Sequence, residues 1–372
     1  MITCSTTASF LAAALLVMMP MSSSATAGEP LIALKPTTKA KPAFSVNVSD
    51  DVLQLACSLD GKLLVAGTRS SELVVWDKPF EKSPRVIQSK GKGSITSVTI
   101  SPDCKHIAAT SWWDQHLRVF ESATGRQLVA VDCGHGLTQA CFSPNGKMLA
   151  TSGNMIVSSG RDEVASTLEL RDPHTGKLVE ILKGEESEEF TRFGFHPKGD
   201  VLAIGCRSGK VQLWSLKTRK LLATADAHLK AVTDVSFSSD GKALASAGLD
   251  GQAILWMVTP LNTLPRKDES EIKLVRSHTL KTPFETLAKV AWSSKGTHIV
   301  VSCYAAGHRG RRCTNISIWE TKSGKEISNL GDGENGHGGF TATFCPHDEY
   351  VFCGDARSRV CAWRFASLLG MN

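Results

Sequence analysis

The sequence predicts an all-β fold built from seven copies of one antiparallel unit. Three observations predict it. A short polar turn recurs seven times between apolar runs, a further run ending in a large side chain follows each turn, and residues 228–256 show the whole unit in one place. That stretch reads HLKAVTDVSFSSDGKALASAGLDGQAILW. Its apolar-alternating runs at 232–238, 243–247 and 253–256 are separated by Ser239-Asp240-Gly241 and Leu249-Asp250-Gly251. Asp-Gly between alternating runs marks a hairpin, because the central residues of such turns favour positive φ. The stretch is a three-stranded meander.

The first turn of the unit recurs as SLDGK (58–62), SPDCK (101–105), SPNGK (143–147), HPKGD (196–200), SSDGK (238–242), SSKGT (293–297) and CPHDE (345–349). The residue ahead of each is Cys57, Ile100, Phe142, Phe195, Phe237, Trp292 or Phe344. All are apolar, as the last inward-facing position of a buried strand requires. The third strand recurs with anchoring residues Trp76, Phe120, Leu170, Trp214, Trp256, Trp319 and Trp363, spaced 44, 50, 44, 42, 63 and 44 apart. In four of these strands (LRVF, LEL, VQLW and ISIW) an apolar–polar–apolar alternation is plain and gives the strand two unequal faces. A fourth run follows most copies, at 126–131, 177–182, 221–225 and 325–330.

Seven units of four strands resemble the WD40 family of β-propellers, whose repeat of about 40–45 residues carries a GH…WD signature. The resemblance runs from Phe44 to Trp363 and implies a seven-bladed propeller of four-stranded antiparallel blades over residues 43–372. The chain departs from the pattern in two respects. The WD dipeptide occurs once, at Trp76-Asp77, and the GH-type position is filled only at Gly134-His135, Ala227-His228 and Gly336-His337.

Residues 1–27 carry no charged side chain, and 10–19 is an apolar run too short to span a bilayer. Ala25-Thr26-Ala27 resembles a signal-peptidase site, so a secretory signal cleaved near Ala27 is expected, giving a periplasmic or secreted protein. Against this, the segment opens without Lys or Arg, and translation from Met18, Met19 or Met21 would leave a cytoplasmic protein. Residues 28–42 lack periodicity and form a linker. Residues 44–48 (FSVNV) alternate, and the chain stops nine residues after Trp363. The N-terminal strand is therefore expected to complete the last blade and close the ring, which removes two open sheet edges.

One unit carries the full hydrogen-bonded set of the family: His228, Ser246, Asp250 and Trp256. Imidazole, hydroxyl, carboxylate and indole can satisfy one another when buried, and each left alone costs about 1–3 kcal/mol. His, Asp and Ser also resemble a hydrolase triad, but an indole at the hydroxyl would block it. Blade two keeps Thr110 and Asp114 with Phe120, and blade four has Ile204 and Ser208 at the matching places. Both are expected to hold by packing alone.

Two insertions, 154–167 and 304–314, enlarge the turn between strands two and three of blades three and six. In an up-and-down meander both rise on one face, beside His135, His228 and His337. The second carries His308, Arg309, Arg311 and Arg312, the densest basic cluster. Arg forks suit carboxylate or phosphate partners, while a solvated loop tip is the plain alternative. A Pro-rich charged stretch at 258–271 is a solvated connection on the opposite face.

Eleven cysteines are present, ten after residue 27. Cys57, Cys141, Cys206, Cys353 and Cys361 sit at strand positions suited to small buried thiols. Cys303 and Cys313, which flank one insertion, are the candidate disulfide. No spacing of Cys and His suits zinc.

A net charge of +6, from 42 Lys and Arg against 36 Asp and Glu, is mild and suggests no nucleic-acid surface. No nucleophile elbow, phosphate loop or paired catalytic carboxylate is recognisable. The innermost strands offer one acid, Asp234, with Gln54, Gln139 and Lys289 as other polar members, poor equipment for a catalytic metal. The expected function is a non-catalytic interaction scaffold without cofactor or metal, as a monomer or in a complex with a protein or peptide partner. The alternative is an exported propeller enzyme, hydrolase or lactonase, with its site in the central channel.

Overall fold

The structure, a computed structural model, describes residues 42–78, 83–156, 164–183, 188–259, 272–282, 286–306, 312–330, 339–355 and 358–370. The expected signal segment and all but residue 42 of the linker lie outside them. The described residues form seven four-stranded antiparallel sheets arranged as a propeller. Blades one to six span residues 52–88, 95–132, 136–183, 190–226, 232–281 and 287–329. Blade seven combines residues 339–364 with the strand Phe44–Asn47.

Each blade is a plain meander, and the turn joining its first two strands is tight. In blade one the Ser58 hydroxyl donates to Asp60 at 2.6 Å and accepts the Leu63 N–H at 2.9 Å. Asp60 in turn accepts the Lys62 N–H at 3.0 Å, and Gly61 takes φ +71°. The same arrangement recurs at Ser101–Asp103, Ser143–Asn145 and Ser238–Asp240. Blades two and seven put Cys104 and Asp348 at the positive-φ position. Asp348 uses that posture to reach blade six, accepting the Ser294 N–H at 2.6 Å and its hydroxyl at 2.7 Å.

The first strand of every blade touches the first strand of the next in a closed cycle, with Val52–Cys57 meeting Gly339–Phe344. Second strands are covered on both faces by neighbouring blades, so Leu63–Thr68 and Val201–Cys206 are buried along their whole length. Core clusters straddle the seams. Val211, Leu213 and Val201 of blade four pack with Val235, Leu244 and Trp256 of blade five.

Closure falls where the sequence places it. Phe44–Asn47 pairs antiparallel with Arg359–Arg364, Phe44 opposite Ala362 and Asn47 opposite Arg359. Phe44 and Val46 pack against the cluster of Val52, Trp76 and Phe352 that joins blades seven and one. The tail forms helix α1, Phe365–Leu368, and buries Phe365 and Leu368.

One anchor is corrected. Leu149 pairs with Arg171 in the register in which Leu244 pairs with Trp256 and Leu202 with Trp214. The anchor of blade three is therefore Arg171, and Leu170 lies one residue before it. The two long insertions are also largely ladder: pairing continues to Ile156–Val164 in blade three and Ala306–Arg312 in blade six.

Candidate functional site: one face and the axial ring

Four segments of the chain meet in blade five. Asp250 Oδ1 lies 3.0 Å from His228 Nδ1, and Ser246 Oγ lies 2.9 Å from His228 Nε2. The Trp256 indole donates to Ser246 Oγ at 3.0 Å. A carboxylate only accepts, so Nδ1 carries the imidazole proton and the Ser246 hydroxyl donates to the bare Nε2. Burial lowers the His228 pKa against the pull of Asp250, in keeping with a neutral ring. A Cβ on Gly248 would come within 2.5 Å of Nδ1, so the ring lies flat on bare backbone. Asp250 also accepts the N–H groups of Leu229 at 3.0 Å and Gln252 at 3.2 Å. Ser246 is wholly buried, and its oxygen is engaged by the indole. This is a structural network, with no exposed nucleophile in it.

Blades three, four and six satisfy their anchors from the residue two places earlier. The indoles of Trp214 and Trp319 donate to Gln212 and Ser317, each at 2.8 Å. Arg171 donates from Nε to Glu169 at 3.1 Å and to the Gly176 carbonyl at 3.0 Å. In blade two Phe120 needs no acceptor, and Arg118 binds Asp114 at 2.7 Å. Burial, which alone would raise the Asp114 pKa, is outweighed by Arg118, and the carboxyl lies below its ordinary range. The expectation that blades two and four hold by packing alone is thus corrected. His135 is buried over Gly153, 3.9 Å from Glu169.

The turns between strands two and three share a face with the inter-blade connections. Leu229, beside the blade-five network, is 89% exposed, and Trp113 in the blade-two turn is 54% exposed. Lys90, Lys92 and Lys230 are exposed on the same face. The extended hairpins of blades three and six stand above it.

Around the axis, every first strand places a polar residue directly after its β-bulge: Gln54, Ser97, Gln139, Arg192, Asp234, Lys289 and Thr341. Three of them bind the next blade's backbone. Ser97 Oγ accepts the Ala140 N–H at 3.2 Å, Gln139 Oε1 that of Phe193 at 2.9 Å, and Asp234 Oδ2 that of Val290 at 3.1 Å. Lys289 Nζ lies 3.5 Å from Asp234 Oδ1, and Arg192 donates to the Thr138 carbonyl. Sequence reading missed Arg192, Ser97 and Thr341. The signal that could have found them is one polar residue at the same place in every first strand.

A family model described as "WD domain, G-beta repeat" matches residues 82–121, 126–162, 176–215 and 219–257. The β-propeller domain of Cps50 (Swd1) from Myceliophteria thermophila superposes with a TM-score of 0.73, covering 87% of this chain and 99% of that one at 17% identity. Four stretches of the chain match that repeat, and its seven-bladed fold is that of the WD40-repeat β-propellers. Autophagy-related protein 16 of Arabidopsis thaliana is similar at 23% identity over 55% of this chain and 47% of its own. The Periodic tryptophan protein 2 homolog of Dictyostelium discoideum is similar at 23% identity over 78% of this chain and 29% of its own. The chain thus spans less than half the length of these curated relatives.

Several expected site residues of this WD40 propeller fall outside the description. His308, Arg309, Arg311 and His337 lie outside the described residues, as do the side chains of Arg312 and Cys313. The backbone of Arg312 closes the described ladder of the blade-six hairpin. Cys303 is a free, buried thiol whose backbone partner in the ladder is Asn315, so the expected Cys303–Cys313 bridge is not formed. Burial pushes the Cys303 thiol up to about 12. Among the described residues no three His, Cys, Asp or Glu side chains are placed to hold a metal ion. No described helix is long and apolar enough to cross a membrane.

Proposed function

We propose that this WD40 propeller is a non-catalytic docking platform, and that the face bearing Leu229 and Trp113 grips a protein or peptide. The observation that carries the reading is Leu229. A leucine 89% exposed is held by a backbone bond to Asp250, inside a fully satisfied buried network. Large apolar side chains on rigid supports bind with little ordering entropy, and they are typical energetic anchors of interfaces. Trp113 supplies a second anchor, and the sequence of the blade-six insertion adds Arg309, Arg311 and Arg312. The supporting character of the relatives is that of WD40 chains generally, and a fold by itself does not define a use.

The test compares wild type with L229D, with W113A and with Arg309, Arg311 and Arg312 all changed to Ala, in cross-linking pull-downs from the native source. Variants that melt like wild type yet lose the same bound proteins support the reading. An unchanged set of partners retires this face. We further propose that residues 1–27 are an export signal. An N-terminus beginning at Gly28 in the mature protein supports export, and one beginning at Met1, Met18, Met19 or Met21 excludes cleavage there.

A further inference from the structure

We propose that the mouth of the central channel is a binding site for an oxyanion, a carboxylate or phosphate group, held between Arg192 and Lys289. The two cations come from blades four and six, and Asp234 of blade five stands between them, so the trio carries one surplus positive charge. Asp234 is already committed: Oδ2 accepts the Val290 N–H at 3.1 Å and Oδ1 lies 3.5 Å from Lys289 Nζ. Arg192 spends one N–H on the Thr138 carbonyl and makes no ion pair among the described residues. A guanidinium has five donors in a fork that matches a carboxylate or phosphate, so most of its capacity is unused.

Position favours a ligand from the face that bears Leu229. The trio sits on the third residue of strands Phe190–Phe195, Val232–Phe237 and Leu287–Trp292, just below the inter-blade connections that open on that face. Arg192 and Lys289 remain partly accessible although they lie on the innermost strands. Farther along the same first strands lie small side chains, Ala56, Thr99, Cys141, Ser236, Ala291 and Thr343, all partly accessible. An anion entering from above would therefore meet the two cations first. Burial lowers the pKa of both cations against the opposing pull of Asp234, and an added negative charge beside them would favour their charged forms.

Two sources supply such a group: a small free anion, or the acidic side chain of a docked partner. Calorimetric titration of the purified protein at low salt with inorganic phosphate, and separately with hexaglutamate peptide, distinguishes them. Saturable phosphate binding assigns the site to a small anion, and peptide binding without phosphate binding assigns it to a partner side chain. In either case R192Q and K289Q should each weaken binding about tenfold or more. D234N keeps an acceptor for the Val290 N–H, removes the competing charge and should tighten binding, which a purely structural ion network would not do. The proposal is overturned if wild type binds neither probe at about 10 mM, or if all three variants bind as wild type does. The phosphate titration needs no protein partner, so its failure and that of the docking face are read separately.

Discussion

The backbone N–H of Leu229 donates to Asp250 Oδ2 at 3.0 Å, which puts the most exposed large apolar side chain among the described residues directly on a buried polar network. The carboxylate that orients His228 also fixes the outward-pointing leucine. Stability of blade five and presentation of that side chain are thus one structural event.

Ser246 is the centre of that network, donating to His228 and accepting from Trp256. S246A leaves an indole N–H and an imidazole nitrogen buried without partners. The expected loss is about 1–3 kcal/mol for each group, read as a lower urea midpoint at unchanged slope. An unchanged midpoint would show that water or a shifted rotamer replaces the hydroxyl.

Acid should destabilise the fold in two stages. Burial holds His228, His196 and His298 below their ordinary value of 6.5. As pH falls, the unfolded chain takes up these protons first, so stability is full above 6.5 and is lost as pH drops from there toward the folded values. Hydrogen bonds from Ser58 and Ser101 lower the pKa of Asp60 and Asp103, giving a second loss below their ordinary 3.8. Denaturant midpoints at pH 7.5, 5.5 and 3.5 check both stages, and H228Q should flatten the first.

Arg171 and Glu169 form a buried pair in blade three, 5% and 6% exposed. E169A strands a buried guanidinium and should cost about 3–5 kcal/mol, whereas E169L with R171W removes both charges and should cost much less. A double-mutant cycle in urea measures the difference. If the double variant loses as much as the two singles together, the pair is not coupled.

Phe44–Asn47 supplies the outer strand of blade seven. Removing residues 28–48 uncovers the edge of Arg359–Arg364 and the apolar seam beneath Phe44 and Val46. The melting temperature should fall by about 5 °C or more. A melting curve identical to wild type would mean that the ring closes without this strand.

Reading residue by residue reached far into the fold. The seven Ser-, His- or Cys-led turns, the third strands and the closing strand at 44–48 were all visible, because each is set by local rules of turn geometry and alternation. The set His228, Ser246, Asp250 and Trp256 was visible through its resemblance to a family pattern. Arg171 was missed because an anchor was expected to be apolar. A guanidinium is acceptable there only because Glu169 and the Gly176 carbonyl meet it in three dimensions.

What the sequence by itself determined is the unit and its number: seven stretches that alternate, turn and alternate again. Each does so by forces acting over a few residues. What only the tertiary structure decided is which polar groups complete one another across blades. Gln139 meets Phe193, Asp234 meets Val290 and Lys289, and Arg192 meets Thr138, in each case from partners more than fifty residues away. Those pairings exist because ring closure brings the seven bulged inner strands to one axis. There a side chain that looks solvent-facing in the chain becomes part of a shared polar ring.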